Sequence, residues 1–227
     1  MWSGDAVIIR TIAAATHGRY LVKPAAADAA GPAGLLVGFH GYAEDAEAQM
    51  SRLETIPRAD SWPLVSIQAL HRFYQRRTSR VVASWMTRQD RELAIADNVA
   101  YVGAVLEQVV GTARAAAKEP VIVLVGFSQG VAMAYRAACR LDRRVNGVVG
   151  FGGDVPPELD ETALARIPAA LVGRGIRDDL YAPAVWSSDE RRLRAAGVRV
   201  QAVSMDSGHE WTPAFAETVA AFLTERR

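Results

Sequence analysis

The sequence predicts an α/β domain in which a mostly parallel sheet is covered by helices on both faces. From residue 35 onward, short apolar runs alternate with longer amphipathic stretches. The runs lack the polar alternation of a half-exposed strand, so they are expected to be buried on both sides. The 227 residues suit one domain, because a single core can grow to about 250 residues before chains usually divide.

The apolar runs are the predicted strands, and the amphipathic stretches are the predicted helices. The strands are expected at residues 35–39, 64–67, 121–125, 145–150, 169–172 and 198–203. The helices are expected at residues 46–55, 91–117, 129–141, 184–196 and 213–224. Ligands of such sheets bind beyond the carboxyl ends of the strands, so a functional site is sought there.

Residues 1–33 precede this repeating pattern. Strands are expected at 6–14 and 19–22, with a turn at Thr16-His17-Gly18, because glycine readily adopts the positive φ of tight turns. The stretch 24–34, which leads into the first central strand, is rich in Ala, Gly and Pro and is typical of a loose connection. We therefore expect one domain over residues 1–227, with the N-terminal strands and connection at 1–33 and the core of the domain at 34–227.

The composition argues against several classes of protein. The formal net charge is +1, which provides no long-range attraction for nucleic acid. The single cysteine, Cys139, lies in a predicted helix, so neither an intrachain disulfide nor a thiolate metal cluster is expected. Neither a signal-peptide pattern nor an apolar run of the roughly 18 residues of a membrane span is found. A cytoplasmic protein without a membrane span or a nucleic-acid partner is expected.

A candidate nucleophile follows one of the predicted strands. The segment Gly126-Phe127-Ser128-Gln129-Gly130 fits the pattern G-x-S-x-G at a strand-to-helix junction. A serine on so sharp a turn needs small residues two positions before and after it, which Gly126 and Gly130 provide. The backbone N–H of Gln129 would then face the oxyanion formed when the serine attacks a carbonyl group.

The glycine-containing segments have two other interpretations. Ser128 could simply cap the following helix, since serine is a good N-cap residue. The segment Gly150-Phe151-Gly152-Gly153 follows a strand, but it lacks the third glycine of a G-x-G-x-x-G turn and a clear helix start. A dinucleotide site is therefore not expected.

The predicted base is His209, the only one of the four histidines that follows a late strand. Serine needs a neighbouring base to act as a nucleophile at neutral pH. The other histidines are expected in the N-terminal turn (His17), after an early strand (His40) and in a long loop (His71).

The predicted acid is Asp178, which lies on the loop after the strand at 169–172. A carboxylate there would fix the tautomer of the imidazole and stabilise its cation. The order serine, acid, histidine along the chain is that of α/β-hydrolases. Asp154 and Asp179 are alternatives, and either could instead be a solvated loop residue.

The second oxyanion donor is expected in the loop after the first central strand, which reads His40-Gly41-Tyr42-Ala43. The backbone N–H of Tyr42 is the candidate, and Gly41 would let the main chain approach a substrate closely. His40 is expected to brace this loop through hydrogen bonds rather than to transfer protons.

Together these segments resemble the phospholipase/carboxylesterase family of small α/β-hydrolases. The resemblance runs from about residue 34 to the C-terminus and rests on H-G at 40–41, G-F-S-Q-G at 126–130, G-I-R-D at 175–178 and G-H at 208–209. It implies a compact esterase of the α/β-hydrolase fold, related to acyl-protein thioesterases and acting without metal or organic cofactor. The segment at 42–45 departs from the Gly-Asp pair that members often carry. Dienelactone hydrolases are similar in size but have a cysteine where this chain has Ser128.

The substrate pocket is expected to be open, because residues 152–168 are too few for a separate cap domain. Trp85 and Met86, in the long irregular stretch 69–89, are predicted to wall the pocket, with core packing as an equal alternative. Trp211 is predicted to line the pocket or to cover the base. The arginines of 69–89 could favour anionic substrates or form a solvated basic loop.

The sequence thus predicts acyl transfer from a small-molecule ester, through an acyl-enzyme on Ser128. Short to medium acyl chains are expected. An acyl thioesterase or a small peptidase would use the same residues, whereas the complete set of Ser128, Asp178 and His209 argues against a non-enzymatic binding protein. A monomer or a homodimer is expected.

Overall fold

A computed structural model of the chain describes residues 7–26, 34–113 and 120–226. The strands are β1 (Arg19–Lys23), β2 (Gly34–Phe39), β3 (Leu64–Gln68), β4 (His71–Tyr74), β5 (Val81–Ser84), β6 (Val121–Phe127), β7 (Gly147–Phe151), β8 (Ala169–Gly175) and β9 (Arg199–Met205). The helices are α1 (Ala46–Glu54), α2 (Arg91–Ala113), α3 (Gln129–Arg140), α4 (Glu161–Leu164), α5 (Pro183–Ala195) and α6 (Pro213–Thr224), with a short 3₁₀ turn at Ala59–Ser61.

One large sheet organises the molecule, with the strand order β1-β3-β2-β6-β7-β8-β9. Strand β1 is antiparallel to β3, and every other pair in this sheet is parallel. Strands β4 and β5 form a separate antiparallel hairpin. The predicted α/β class with a mostly parallel sheet is confirmed.

The sheet is buried on both faces because its central strands carry apolar residues at consecutive positions. Every residue of β2, β3, β7 and β8 is buried. Successive side chains of a strand point to opposite faces, so Leu35 and Val37 join one apolar cluster while Leu36 joins another. The first cluster includes residues of α2, α3 and α5, and the second includes residues of α1 and α6. Helices therefore cover both faces, as the sequence predicts.

The predicted N-terminal hairpin is wrong over the residues that are described. Residues 7–18 form no strand, and β1 pairs with β3 at the edge of the sheet instead. Val7, Ile9 and Ile12 are exposed, so these apolar side chains gain no burial that would favour a strand. Ala6, residues 27–33 of the predicted connection and residues 114–117 of the predicted second helix lie outside the described residues.

The stretch 69–89 is not irregular, because it contains the hairpin of β4 and β5. The backbone N–H of Gln75 donates to the carbonyl of Arg80 at 2.9 Å and closes the turn. Burial alternates along β4, as expected for a strand with one face against the protein. The two strands of the hairpin are only four residues each. They are too short for the alternation to be recognised in the sequence among the surrounding arginines.

Helix α2 is long and apolar enough to pass a length-and-composition test for a membrane span over Arg91–Gly111, the only such helix among the described residues. Half of that apolar window is buried inside the protein. Val102, Val105 and Leu106 of α2 belong to the first apolar cluster. Packing against the sheet therefore accounts for the hydropathy of this helix.

Replacing Leu36 by alanine tests the contribution of the doubly buried strands. The side chain of Leu36 is fully buried in β2, so Leu36→Ala is expected to lower the free energy of unfolding by about 2–5 kcal/mol, from lost transfer energy and the remaining cavity. The measurement is urea denaturation. The matched control is Leu93→Ala on α2, where the side chain is 50% exposed and the expected change is within about 0.5 kcal/mol. Equal losses in the two variants would contradict the packing described here.

Candidate active site

Ser128 lies at a sharp turn between β6 and α3. Its backbone has φ 52° and ψ −124°, a conformation that is strained for a residue with a side chain. The backbone N–H of Ser128 donates to the carbonyl of Phe151, at the end of the neighbouring strand β7, at 2.9 Å. Ser128 has no side-chain hydrogen bond of the helix-capping kind. The structure therefore places this serine in the strained turn that the motif predicts, rather than in an ordinary N-cap.

The two glycines of the motif are required by close backbone packing. A Cβ atom on Gly126 would lie 2.6 Å from the carbonyl oxygen of Gly130. A Cβ atom on Gly130 would lie 2.1 Å from the carbonyl oxygen of Phe39, the last residue of β2. Both distances are shorter than a van der Waals contact between carbon and oxygen, so a Cβ atom would clash at either position. Gly130 thus allows the start of α3 to lie directly against the loop that follows β2.

His209 and Asp178 form a hydrogen-bonded pair. The Nδ1 atom of His209 lies 2.8 Å from Oδ2 of Asp178, on the loop after β8. The other oxygen of Asp178 accepts the backbone N–H groups of Leu180 at 2.9 Å and Tyr181 at 3.0 Å. An ionised carboxylate only accepts, so His209 donates through Nδ1, and its neutral tautomer leaves Nε2 free to take a proton.

Asp178 is the carboxylate that is hydrogen-bonded to His209, and the alternatives Asp154 and Asp179 are not. Asp178 is 3% exposed, and its carboxylate is held by the imidazole and two backbone donors. Asp154 and Asp179 are both exposed. They match the alternative interpretation of solvated loop residues.

The glycines after β7 bring the serine and the histidine together. A Cβ atom on Gly152 would lie 2.9 Å from Cε1 of His209, and one on Gly153 would lie 2.2 Å from the carbonyl oxygen of Ser128. The ring of Phe127, next to Ser128, has its centroid 5.1 Å from that of His209. The sequence signal for this loop is the pair of glycines after a strand, which is also compatible with a dinucleotide turn.

His40 braces the loop after β2, as expected. Its Nε2 atom accepts the backbone N–H of Ala69 at 3.1 Å, so the proton is on Nδ1, which lies 2.6 Å from the carbonyl oxygen of Gly41. The carbonyl of His40 accepts the indole N–H of Trp85 at 2.8 Å. Burial lowers the pKa of His40, because a charged imidazole would lose its hydration there. His40 is therefore a neutral structural residue.

A second set of contacts holds the same loop from the outside. The backbone N–H of Gly41 donates to Oε2 of Glu44 at 2.8 Å, and Arg52 donates to that same oxygen at 2.7 Å. The guanidinium of Arg52 lies 4.0 Å above the ring of Phe127. These contacts fix the position of the Tyr42 backbone beside the serine turn. The side chain of Tyr42 points outward and is 61% exposed.

The side chain of Gln129 links the serine turn to the hairpin. Its Oε1 atom accepts the backbone N–H of Trp85 at 3.0 Å, and its Nε2 atom donates to the hydroxyl of Ser84 at 3.1 Å. The end of β5 is thereby joined to the start of α3. The sequence assigned only a backbone role to Gln129, and the side-chain role follows from the position of the hairpin.

A buried carboxylate that sequence reasoning missed connects two of the loops. Asp189, on α5, accepts the backbone N–H of Val155 and the hydroxyl of Tyr181, each at 2.9 Å. Burial raises the pKa of Asp189. Val155 belongs to the loop after β7, and the backbone of Tyr181 also donates to Asp178. Nothing in the one-dimensional pattern distinguishes Asp189 from the solvated carboxylates of a surface helix.

Two clefts are lined by the sequence neighbours of Ser128, one by Gln129 and the other by Phe127. The larger, of about 760 Å³, is lined by Tyr42, His71, Arg72, Phe73, Ser84, Met86, Thr87, Arg88, Arg91 and Gln129. The smaller, of about 410 Å³, is lined by Glu44, Ala48, Ser51, Arg52, Thr55, Phe127, His209, Glu210 and Trp211. Both clefts are open to solvent, and the segment between β7 and β8 adds only the four-residue α4.

The three predicted pocket residues have different positions. Met86 lines the larger cleft, and Trp211 lines the smaller one with its indole N–H 3.1 Å from the hydroxyl of Thr55. Trp85 is fully buried, with its ring 5.5 Å from that of Phe39. Trp85 therefore matches the core-packing alternative rather than the pocket role, because its indole N–H donates to the carbonyl of His40 inside the core.

No group of three or more His, Cys, Asp or Glu side chains is arranged to hold a metal ion within residues 7–26, 34–113 and 120–226. The described part of the site combines the strained turn of Ser128 with the hydrogen-bonded pair of His209 and Asp178. This fold with this arrangement of residues defines an α/β-hydrolase.

A sequence profile of the phospholipase/carboxylesterase family matches residues 26–226. The chain therefore belongs to the phospholipase/carboxylesterase family, as the motifs suggest. A search of curated proteins found no match.

Solved structures with the same fold include several esterases. The chain is 23% identical to esterase PE8 with a TM-score of 0.68, covering 93% of this chain and 100% of that one. It is 14% identical to a carboxylesterase from Bacillus cereus with a TM-score of 0.72, covering 92% and 95% of the two chains. It is 19% identical to acyl-protein thioesterase 2 from Zea mays with a TM-score of 0.70, covering 92% and 99%.

The neutral state of His40 predicts a pH-dependent stability. The pKa of His40 is lowered in the folded state. Below about pH 6.5 the unfolded chain therefore binds a proton at His40 that the folded chain does not bind. The free energy of unfolding consequently decreases as the pH falls. The contribution of His40 is complete above that pH and decreases by at most about 1.4 kcal/mol per pH unit below it. Urea denaturation between about pH 7.5 and about pH 5.5 is expected to give a smaller decrease for His40→Gln than for the wild type. Equal decreases would contradict a buried neutral His40.

Proposed function

We propose that the protein is a serine carboxylesterase that hydrolyses small esters through an acyl-enzyme on Ser128. The observation that carries this proposal is the hydrogen bond between His209 and Asp178 beside the strained turn of Ser128. The bond favours the tautomer whose Nε2 atom is a base, and a turn of this type characteristically presents its serine hydroxyl to such a base. Family membership supports the same reaction class.

In the proposed first half-reaction, Oγ of Ser128 attacks the ester carbonyl carbon while its proton moves to Nε2 of His209. The backbone N–H groups of Tyr42 and Gln129 donate to the resulting oxyanion. Collapse of the tetrahedral intermediate breaks the bond to the leaving oxygen, which receives the proton from His209. Asp178 stays ionised and stabilises the imidazolium formed in between.

In the second half-reaction, water attacks the acyl-enzyme and passes its proton to the same nitrogen of His209. The carboxylic acid leaves, and the hydroxyl of Ser128 is restored. All the groups required come from one chain, so the proposal fits a monomer as well as a homodimer.

The open clefts support short to medium acyl chains, since long chains gain most from an enclosed channel. The free and buried Cys139 fits a compartment where thiols stay reduced, which supports a cytoplasmic enzyme. An acyl thioesterase is the second candidate, favoured by the fold that the chain shares with a plant acyl-protein thioesterase. Parallel assays with an ester and a thioester of one acyl group separate the two candidates.

Substitution of the proposed nucleophile and base tests the mechanism. Ser128→Ala and His209→Ala are each expected to lower kcat for p-nitrophenyl butanoate by about 10⁴-fold, because the residues act as one unit. The double variant is expected to be no slower than either single one. Esterase activity of the purified proteins is measured beside Ser187→Ala, an exposed serine on α5 that is expected to keep full activity. Activity surviving in Ser128→Ala would refute the assignment.

A further inference from the structure

The charged side chains that line the larger cleft are positive rather than negative. Arg72, Arg88 and Arg91 line it, and no aspartate or glutamate is among its lining residues. The cleft also borders Tyr42 and Gln129, whose backbone N–H groups are the proposed oxyanion donors. A substrate carbonyl held by those donors would therefore have the arginine-lined cleft beside it.

The arginines of this cleft are only partly engaged within the protein. Arg72 donates to the backbone carbonyl of His17 at 3.2 Å, and Arg91 pairs with the exposed Glu92 at 2.7 Å. Among the described residues, neither Arg72 nor Arg88 forms an ion pair with a carboxylate. Their remaining N–H groups are available to a ligand, and a guanidinium binds a carboxylate or phosphate through two parallel hydrogen bonds.

A polar atom in the wall of the same cleft lacks a partner. The Nε2 atom of His71 is buried and has no hydrogen-bond partner among the described residues. His71 lines the cleft together with Arg72, the next residue of β4. Buried polar atoms normally find a partner, so His71 keeps an unused hydrogen-bonding atom beside the cleft.

The smaller cleft has a different charge pattern. It contains His209 together with the carboxylates of Glu44 and Glu210. Its one arginine, Arg52, is already bound to Glu44. The two clefts thus present unlike charges to the two halves of an ester.

The position of the base decides which half of the ester occupies which cleft. His209 must deliver a proton to the leaving oxygen, so the alcohol portion lies on the side of His209, in the smaller cleft. The acyl portion then extends into the larger cleft, towards the arginines. This step rests on the proposed esterase function.

We infer that the larger cleft is a subsite for an anionic group at the far end of the acyl chain, with Arg88 and Arg72 as its principal donors. The substrate class is then an ester whose acyl part carries a distal carboxylate or phosphate, such as a half-ester of a dicarboxylic acid. Solvent screening at the rim limits the gain, so we expect a preference of about tenfold over a neutral acyl chain.

The test compares kcat/KM for three ethyl esters at neutral pH. These are monoethyl adipate, ethyl 4-phosphonobutanoate and the uncharged ethyl hexanoate. At least one anionic ester is expected to exceed the neutral one by about tenfold, and the better of the two identifies the anion. A fourth ester, formed from butanoic acid and 4-hydroxybutanoate, places the carboxylate on the alcohol side and is expected to show no preference.

Arg88→Gln is expected to reduce the ratio of anionic to neutral kcat/KM by about tenfold. The matched control is Arg76→Gln, an exposed arginine in the turn between β4 and β5 that does not line the cleft. It is expected to leave the ratio unchanged. A ratio near one in the wild type, or one that Arg88→Gln does not change, would overturn the subsite.

A binding measurement separates failure of the subsite from failure of the proposed function. Calorimetric titration with adipate needs no turnover, and Arg88→Gln is expected to weaken binding by about tenfold. Hydrolysis of ethyl hexanoate without any anionic preference would leave the esterase standing and refute the subsite. Binding of adipate that depends on Arg88, without hydrolysis of any ester, would support the subsite and refute the esterase.

Discussion

The backbone of Ser128 is the constraint on which the rest of the site depends. Its positive φ costs about 1–3 kcal/mol and persists only because the surroundings determine it. The hydrogen bond to Phe151 fixes the turn to β7, while Gly126 and Gly130 remove the side chains that would prevent α3 from starting there. Because α3 then lies against the end of β2, the serine turn lies next to the loop that contains Tyr42.

The other loops are held by buried hydrogen bonds rather than by a covering domain. His40 ties the loop after β2 to Ala69 and to the indole of Trp85. Asp178 orients His209, and Asp189 joins the loops after β7 and β8 from beneath. A site on loops needs such support to keep its groups in reacting geometry. The same supports leave both clefts open, which permits one side to be cationic and the other acidic.

The central sheet and the turn of Ser128 were predictable because their signals are local. Doubly buried strands appear as apolar runs, and the strained turn of Ser128 imposes its own spacing of glycines. The pocket was not predictable, because it depends on which face of a short hairpin meets the core. Trp85 and Met86 are adjacent in sequence, yet one is a core residue and the other lines a cleft. The role of Asp189 was not predictable, because it depends on hydrogen bonds from Val155, which is distant along the chain, and from Tyr181, which lies on the preceding loop.

The most direct test of the account is covalent labelling of the folded protein with an alkyl fluorophosphonate. Attack by an activated serine on phosphorus expels fluoride and leaves a phosphonylated serine, and peptide mass spectrometry locates the adduct. We predict one adduct, on Ser128, which is lost in His209→Ala and after heat denaturation because the hydroxyl needs its base. An adduct on another serine, or none on Ser128 in the folded wild type, would contradict it.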